Sequence, residues 1–269
     1  MKICCFGDTR SHTHAAAVAL YKSDGISESD ITGCDSVYEC LRKVHDGECD
    51  AAVVPIENSF EGTVAATTDG IGELRLYIVR ETVLKIEQKL IVQEGVKQED
   101  IRTVYSHPQA LAQCRRALCE KLPQAKTVAV AYTSAGLDML DAHSAAIARA
   151  PKAGQNVLYE NFEDSSENCT RFVAVQASSK REGNKVSVLF ATRNEPGRLL
   201  RVLRVFEENG YNMTKIESRP AKRRMGQYVF YVDFIFDGNE QAWNALMVQL
   251  SDKAEDLQFL GRYPAHANK

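Results

Sequence analysis

Between residues 2 and 175 the chain alternates short apolar runs with helical stretches, and no other feature of the sequence constrains its fold as strongly. The runs lie at residues 2–6, 51–55, 89–92, 103–105, 127–131 and 171–175, each of strand length. Strands separated by crossover helices build largely parallel sheets. The intervening stretches are amphipathic. In 108–122, Leu111, Cys114, Ala117, Leu118 and Leu122 recur at three- and four-residue spacing, while Arg115, Arg116, Glu120 and Lys121 fall mostly elsewhere, which predicts one buried face. A second helix is expected at 37–44. At Ser178-Ser179-Lys180-Arg181-Glu182-Gly183-Asn184 the pattern breaks into a polar linker. Beyond it the order reads strand (185–192), helix, strand, strand (225–236), helix, strand, a βαββαβ unit. Asn194 as cap, Pro196 in the first turn and Gly210 as the stop bound its first helix, which carries Leu199, Leu203 and Phe206 on one stripe.

A chain of 269 residues exceeds the ~250 at which single cores stop growing, so two domains are expected. Net charge is only -3 and 44% of residues are hydrophobic, which excludes a disordered chain. That small charge hides an asymmetry. Residues 1–180 hold 19 lysines and arginines against 25 acids, and the remainder 14 against 11, giving -6 and +3. Neither half is basic enough to suggest nucleic acid. An acidic large half offers an anion no long-range attraction, so an anionic ligand must be held by local donors.

The apolar runs at 15–20 and 128–131 fall far short of the ~20 residues that a membrane span needs, and the start of the chain reaches Asp8 before any secretory apolar region; a cytoplasmic protein is expected. The eight cysteines form no C-x-x-C pair and no ligand cluster with nearby histidine, and are expected to be mostly small buried apolar residues. His12 and His14 lack a carboxylate or thiolate spaced to complete a metal site, so no metal is expected. Phosphate loops of the G-x-x-x-x-G-K-[ST] and G-x-G-x-x-G types are absent.

Three polar segments could carry chemistry. In the first, an apolar strand runs into Pro55-Ile56-Glu57-Asn58-Ser59 and on to Gly62 and Thr63 at a helix start. Open α/β sheets bind ligands at such strand ends, although Asn58 or Ser59 could merely cap. The second, Ser106-His107-Pro108-Gln109-Ala110-Leu111-Ala112-Gln113-Cys114, repeats the strand, turn and helix, with Ser106 read as either helix cap or chemical group. In the third an acidic loop, residues 160–167, ends in Asn168-Cys169-Thr170-Arg171-Phe172 as a strand begins. Arg171 offers a planar fork for a carboxylate or a partner for Glu163 or Asp164.

Taken in order and followed by Glu217-Ser218-Arg219-Pro220, these motifs closely resemble those of prephenate dehydratases that carry a C-terminal ACT regulatory domain. The resemblance implies a bilobal catalytic domain at 1–178, two α/β subdomains around a cleft as in type II periplasmic binding proteins. It also implies a ferredoxin-like ACT domain at 185–269. The implied reaction converts prephenate to phenylpyruvate, for phenylalanine biosynthesis, with loss of carbon dioxide and water, and needs no cofactor. It implies Thr170 as the donor to the departing hydroxyl. Arg171 would clamp carboxylates, with Phe172, Glu57, Asn58, Ser59, Ser106, His107, Gln113, Ser11 and Thr13 binding substrate or supporting those that do. Phenylalanine would bind as feedback effector at Asn194, Pro196, Gly197, Leu199, Glu217 and Ser218, between subunits of a homodimer or homotetramer. Arogenate dehydratase and a non-catalytic aromatic amino acid sensor are the alternatives. The chain departs from the family pattern at Arg10 and His12, where a glycine and an aromatic residue are usual, and at Arg198, where alanine is.

Overall fold

Three sheets organise the computed structural model, which describes residues 1–179, 182–221 and 227–266. The basic run Lys222-Arg223-Arg224, and Lys180 and Arg181 of the linker, lie outside the described residues. The first lobe is built from β1 (Ile3–Phe6), α1 (His12–Tyr21), β2 (Ile31–Cys34), α2 (Val37–His45), β3 (Ala51–Asn58), β4 (Gly62–Thr63), α3 (Ala65–Leu74) and β5 (Tyr77–Lys85). The second lobe follows without interruption. It comprises β6 (Lys89–Gln93), β7 (Thr103–Ser106), α4 (Pro108–Gln113), α5 (Arg115–Lys121), β8 (Lys126–Ala129), β9 (Ser144–Ala148) and β10 (Gln155–Tyr159).

The chain then returns, and β11 (Cys169–Gln176) inserts between β3 and β5, so the first sheet runs β2-β1-β3-β11-β5 with β11 antiparallel to both neighbours. The second sheet runs β10-β6-β9-β7-β8. Residues 86–88 and 160–168 are thus the two crossings between lobes, the arrangement of a type II two-lobed cleft protein. β3 and β11 are apolar and buried almost throughout because helices and a third sheet cover both faces.

The helix expected over 108–122 is broken at Cys114. Asp164, arriving on the returning crossing, accepts from the backbone N–H of Arg116 at 2.8 Å and of Ala117 at 3.0 Å. A carboxylate from outside therefore starts a second helix where local periodicity reads one continuous element. Cys4, Cys34 and Cys40, on β1, β2 and α2, bring their sulfurs within 4.8 Å of one another in the first lobe's core. Their sequence spacing conceals this cluster.

The small domain contains β12 (Lys185–Ala191), α6 (Arg198–Glu208), β13 (Met213–Pro220), β14 (Tyr228–Ile235), α7 (Glu240–Lys253) and β15 (Glu255–Tyr263), with sheet order β13-β14-β12-β15. One face of this sheet packs on α6 and α7 through Phe190, Val205, Phe206, Phe234, Trp243 and Leu246. The other face joins the first lobe's core through Tyr231, Leu260 and Tyr263. Contact there is close: a Cβ on Gly261 would stand 2.1 Å from the carbonyl oxygen of Ile78, and Gly261 has φ +144°. Only glycine fits. Asn194 does not cap α6. Gly197, at φ +80°, occupies that position with no side-chain cap, while Gly210 ends the helix as expected.

Candidate active site

Parallel strands in both lobes end on one cleft, enclosing a cavity of about 320 Å³. From the first lobe it receives the β1–α1 turn (Gly7, Arg10, Ser11, His12, Thr13), the end of β3 (Pro55, Asn58) and the start of β11 (Thr170, Phe172). From the second come the β7–α4 turn and helix (His107, Gln109, Ala110, Gln113), Tyr132, and Arg149 just past β9. Ile86 and Gln88 of the first crossing close the base.

Strand geometry decides what β11 contributes. Side chains alternate faces, so Thr170 and Phe172 enter the cavity and Arg171 must leave on the opposite side. Thr170 pairs in register with Asn58. Asn58 Nδ2 donates to Thr170 Oγ1 at 2.9 Å and to Asn168 Oδ1 at 2.8 Å, while Asn58 Oδ1 accepts from the N–H groups of Phe60 and Glu61. The asparagine is locked, and it donates to the threonine oxygen. Thr170 therefore keeps its own hydrogen, for which no acceptor appears among the described residues.

The clamp expected of Arg171 is corrected by this geometry. Its guanidinium lies behind the sheet, where Nε donates to Glu81 at 2.6 Å, Nη1 to Asp233 at 2.5 Å and Nη2 to the Tyr263 hydroxyl at 2.9 Å. Neither Glu163 nor Asp164 pairs with it: Glu163 accepts from the Gln88 N–H at 2.7 Å, and Asp164 caps α5. The cations that do line the cavity are Arg10 and Arg149. Arg10 leans on Asp8 at 4.0 Å, and Arg149 has no carboxylate within that distance among the described residues. In the sequence Arg10 stands out only as a departure from the family pattern, and no motif marks Arg149. A signal existed, since Arg149 follows five fully buried residues, Ser144–Ala148, where an open α/β sheet presents its ligand-binding end.

Other expected site residues divide. Ser11 and Thr13 reach the wall, but Ser11 Oγ is engaged as the cap of α1, accepting from the His14 N–H at 3.1 Å. His107 reaches it too. Its Nδ1 accepts from the Gln109 N–H at 3.3 Å, which requires the ring hydrogen on Nε2, and desolvation lowers its pKa. Gln113 accepts from Gln88 Nε2 at 3.4 Å, and Gln88 Oε1 is a buried acceptor without a partner among the described residues. Gln88 was not anticipated, since it lies in a short crossing with no motif.

Ser106 is fully buried behind the wall, donating to the carbonyl of Ile147 at 2.7 Å, and is neither cleft donor nor helix cap; His107 caps α4. Ser59 is exposed outside the cavity and ties β3 to β11 by accepting from the Cys169 N–H at 3.0 Å. Glu57 also lies outside the cavity and pairs with Lys215 at 2.7 Å and Arg171 at 3.6 Å. His12 lies in the wall with a ring nitrogen 3.0 Å from the Glu87 carbonyl oxygen, and burial lowers its pKa to about 4.

In the small domain, Glu217 and Ser218 lie on β13 opposite Tyr231 and Phe230 of β14. Asn194, Pro196 and Gly197 form the exposed turn before α6, and Leu199 packs against the small domain's core. β13 is a free sheet edge with Ile216 exposed.

Fold and cleft together define a two-lobed α/β protein with a ligand site between its lobes and a βαββαβ domain docked behind one of them. The family model for prephenate dehydratase matches residues 3–180 and that for the ACT domain residues 186–242. The prephenate dehydratase of Lactococcus lactis subsp. lactis is 35% identical, with 99% of each chain covered. A crystal structure of prephenate dehydratase from Arthrobacter aurescens, in complex with L-Phe, superposes with a TM-score of 0.87 at 32% identity over 98% of this chain and 90% of that one. A protein described as a novel type of quorum quenching acylase superposes at 0.84 with 26% identity, covering 98% of each. The chain belongs to the prephenate dehydratase family, in the form that carries an ACT domain.

Proposed function

We propose that the cleft carries out the family's reaction, the decarboxylating dehydration of prephenate to phenylpyruvate, with Thr170 as the group that acts on the departing hydroxyl. The ring carboxylate leaves as carbon dioxide, its bonding electrons enter the ring, and the hydroxyl leaves as water after gaining one proton. The observation that carries the assignment is the bond from Asn58 to Thr170 Oγ1, which aims the threonine's own hydrogen away from Asn58 on the cavity wall. A threonine is a weak acid, so its contribution is a fixed donor whose hydrogen bond strengthens as negative charge grows on the leaving oxygen.

Arg149 and Arg10 suit the carboxylates, and the neutral His107 and Gln113 add donors without further charge. Phe172 offers the ring an apolar wall. In this reading Glu57, Ser59, Ser106 and Arg171 support the site without touching substrate. Ser11 and Thr13 shape the β1–α1 turn. Residues 1–178 serve as the catalytic domain and 185–269 as the regulatory domain. Phenylalanine acts as effector at Asn194, Pro196, Gly197, Leu199, Glu217 and Ser218. The free edge at β13 supports assembly into a homodimer or homotetramer, and the protein is read as cytoplasmic.

The test is to incubate purified protein with prephenate and with arogenate and to follow phenylpyruvate and phenylalanine. Prephenate turnover is expected, and folded protein that turns over neither compound would overturn the reading. Phenylalanine should raise Tm, and Glu217→Ala or Ser218→Ala should reduce that rise; equal shifts in all three proteins would remove the effector site from these residues.

A further inference from the structure

We infer that a box of four charges behind the cleft, Glu57, Arg171, Lys215 and Asp233, positions the reacting threonine according to the state of the small domain. The inference rests on the assignment of catalysis to the cleft and effector binding to the small domain. Its basis is the register of two strand pairs. On β3 and β11, Asn58 faces Thr170 toward the cavity while Glu57 faces Arg171 on the opposite side. On β13 and β14, Lys215 faces Asp233. These two back-to-back pairs meet with complementary charge: Glu57 to Lys215 at 2.7 Å, Arg171 to Asp233 at 2.5 Å, and Glu57 to Arg171 at 3.6 Å.

Both cleft residues that hydrogen-bond to each other therefore have a chain neighbour held by the regulatory sheet. A shift of β13 and β14 pulls on positions 57 and 171 together, and with them on 58 and 170. The box also continues toward the effector residues. Asp233 accepts from Ser187 Oγ at 2.5 Å, Ser187 accepts from the Tyr231 hydroxyl at 3.0 Å, and Tyr231 stands opposite Glu217. Arg171 is fixed on the catalytic side as well, through Glu81 of β5, which in turn holds Lys185 of β12 at 3.0 Å. Its fork is shared between the domains rather than owned by either. In this role Arg171 is a positioning residue that acts through Thr170 and touches no substrate. A mechanical link of this kind is a physical coupling route only if breaking it separates effector binding from its effect on rate.

The experiment uses the full-length chain with Lys215→Met, Asp233→Asn and Arg171→Lys. We expect kcat to fall by about tenfold or more in the first two with KM changed less than about threefold, because misplacement by a fraction of an ångström acts on the reacting geometry. Both variants should keep the thermal shift given by phenylalanine but lose its effect on rate, with Arg171→Lys intermediate. Amide exchange at residues 168–172 should respond to phenylalanine in the wild type and not in the variants. Lys215→Met alone decides the matter if Asp233→Asn does not fold, since its partner Glu57 sits near the rim, 35% exposed. Wild-type kcat together with a wild-type phenylalanine response in Lys215→Met would overturn the proposal. If the wild type does not turn over prephenate, the functional reading fails on its own. The relay is then judged by exchange: a phenylalanine response at 168–172 that Lys215→Met abolishes supports it, and an unchanged or absent response overturns it.

Discussion

The two faces of the β3–β11 pair solve opposite problems with neighbouring residues. Toward the cleft, Asn58 and Thr170 present neutral groups to an open cavity, and the threonine hydrogen is left uncommitted. Toward the small domain, Glu57 and Arg171 present charges that are matched at once by Lys215 and Asp233. The cavity keeps Arg149 unpaired among the described residues, which suits the proposed dianionic substrate. Buried charges such as Arg171 and Asp233 cannot be left unmatched. The lesson is that a charged residue beside a reactive one need not share its task, because a strand turns them to different surroundings.

The largest effect should come from breaking the back face. Arg171→Met leaves Glu81 buried with Lys185 as its remaining close cation and strips Asp233 of its ion-pair partner, and removing one partner of a buried pair costs about 3–5 kcal/mol. Urea unfolding would measure it, and a loss below about 1 kcal/mol would mean that the box is not tightly held. On the cleft face Thr170→Ala should instead leave unfolding nearly unchanged and lower kcat by roughly 10²–10³, the usual cost of removing one well-placed donor. Unaltered activity would refute its assigned role.

Arg149→Gln sharpens the contrast between reserved and matched cations. It should raise KM for prephenate by about tenfold or more, as expected for losing a charge-assisted hydrogen bond, with a smaller change in kcat, read from steady-state kinetics. Ser106→Ala separates wall from support: stability should fall by about 1 kcal/mol while kcat holds, and a large kcat loss would place Ser106 back in the chemistry.

At neutral pH the effect vanishes for His12, whose pKa is lowered by burial from 6.5 to about 4. The unfolded chain binds the proton at higher pH than the folded one, so the contribution is complete above 6.5 and is lost as pH falls toward 4. Replacing it in His12→Gln should flatten that part of the stability profile, measured by denaturant midpoints from pH 7 to 4.

Much of this was legible in the residues. Alternating strands and helices announced the lobes, and the ordered motifs announced the reaction. What escaped was whatever depends on the chain returning to itself. Arg171 was assigned to the cleft although Thr170 and Phe172 already claim that face by simple alternation. Gln88 carries no local motif and Arg149 only the buried strand before it, and only the meeting of two lobes puts them in one cavity with Thr170. The break at Cys114 needs Asp164, some fifty positions later. The net charges of -6 and +3, read first as a sign that local donors must hold the substrate, turn out to fit a seam: Glu57, Asp69 and Glu81 on the acidic half meet Lys215, Arg219 and Lys185 on the basic half.

The insertion of β11 between β3 and β5 also has a consequence for how the chain is made. As the ribosome delivers residues 1–85, the first sheet has a vacant lane between β3 and β5, whose facing edges wait for a partner that emerges only from residue 169 onward. The second lobe, continuous from β6 to β10, can close on its own in the interval. Pairing across such a sequence separation is slow and exposes strand edges while it waits. The lane that finally fills carries Thr170, so the threonine reaches the cleft by the same event that completes the lobe.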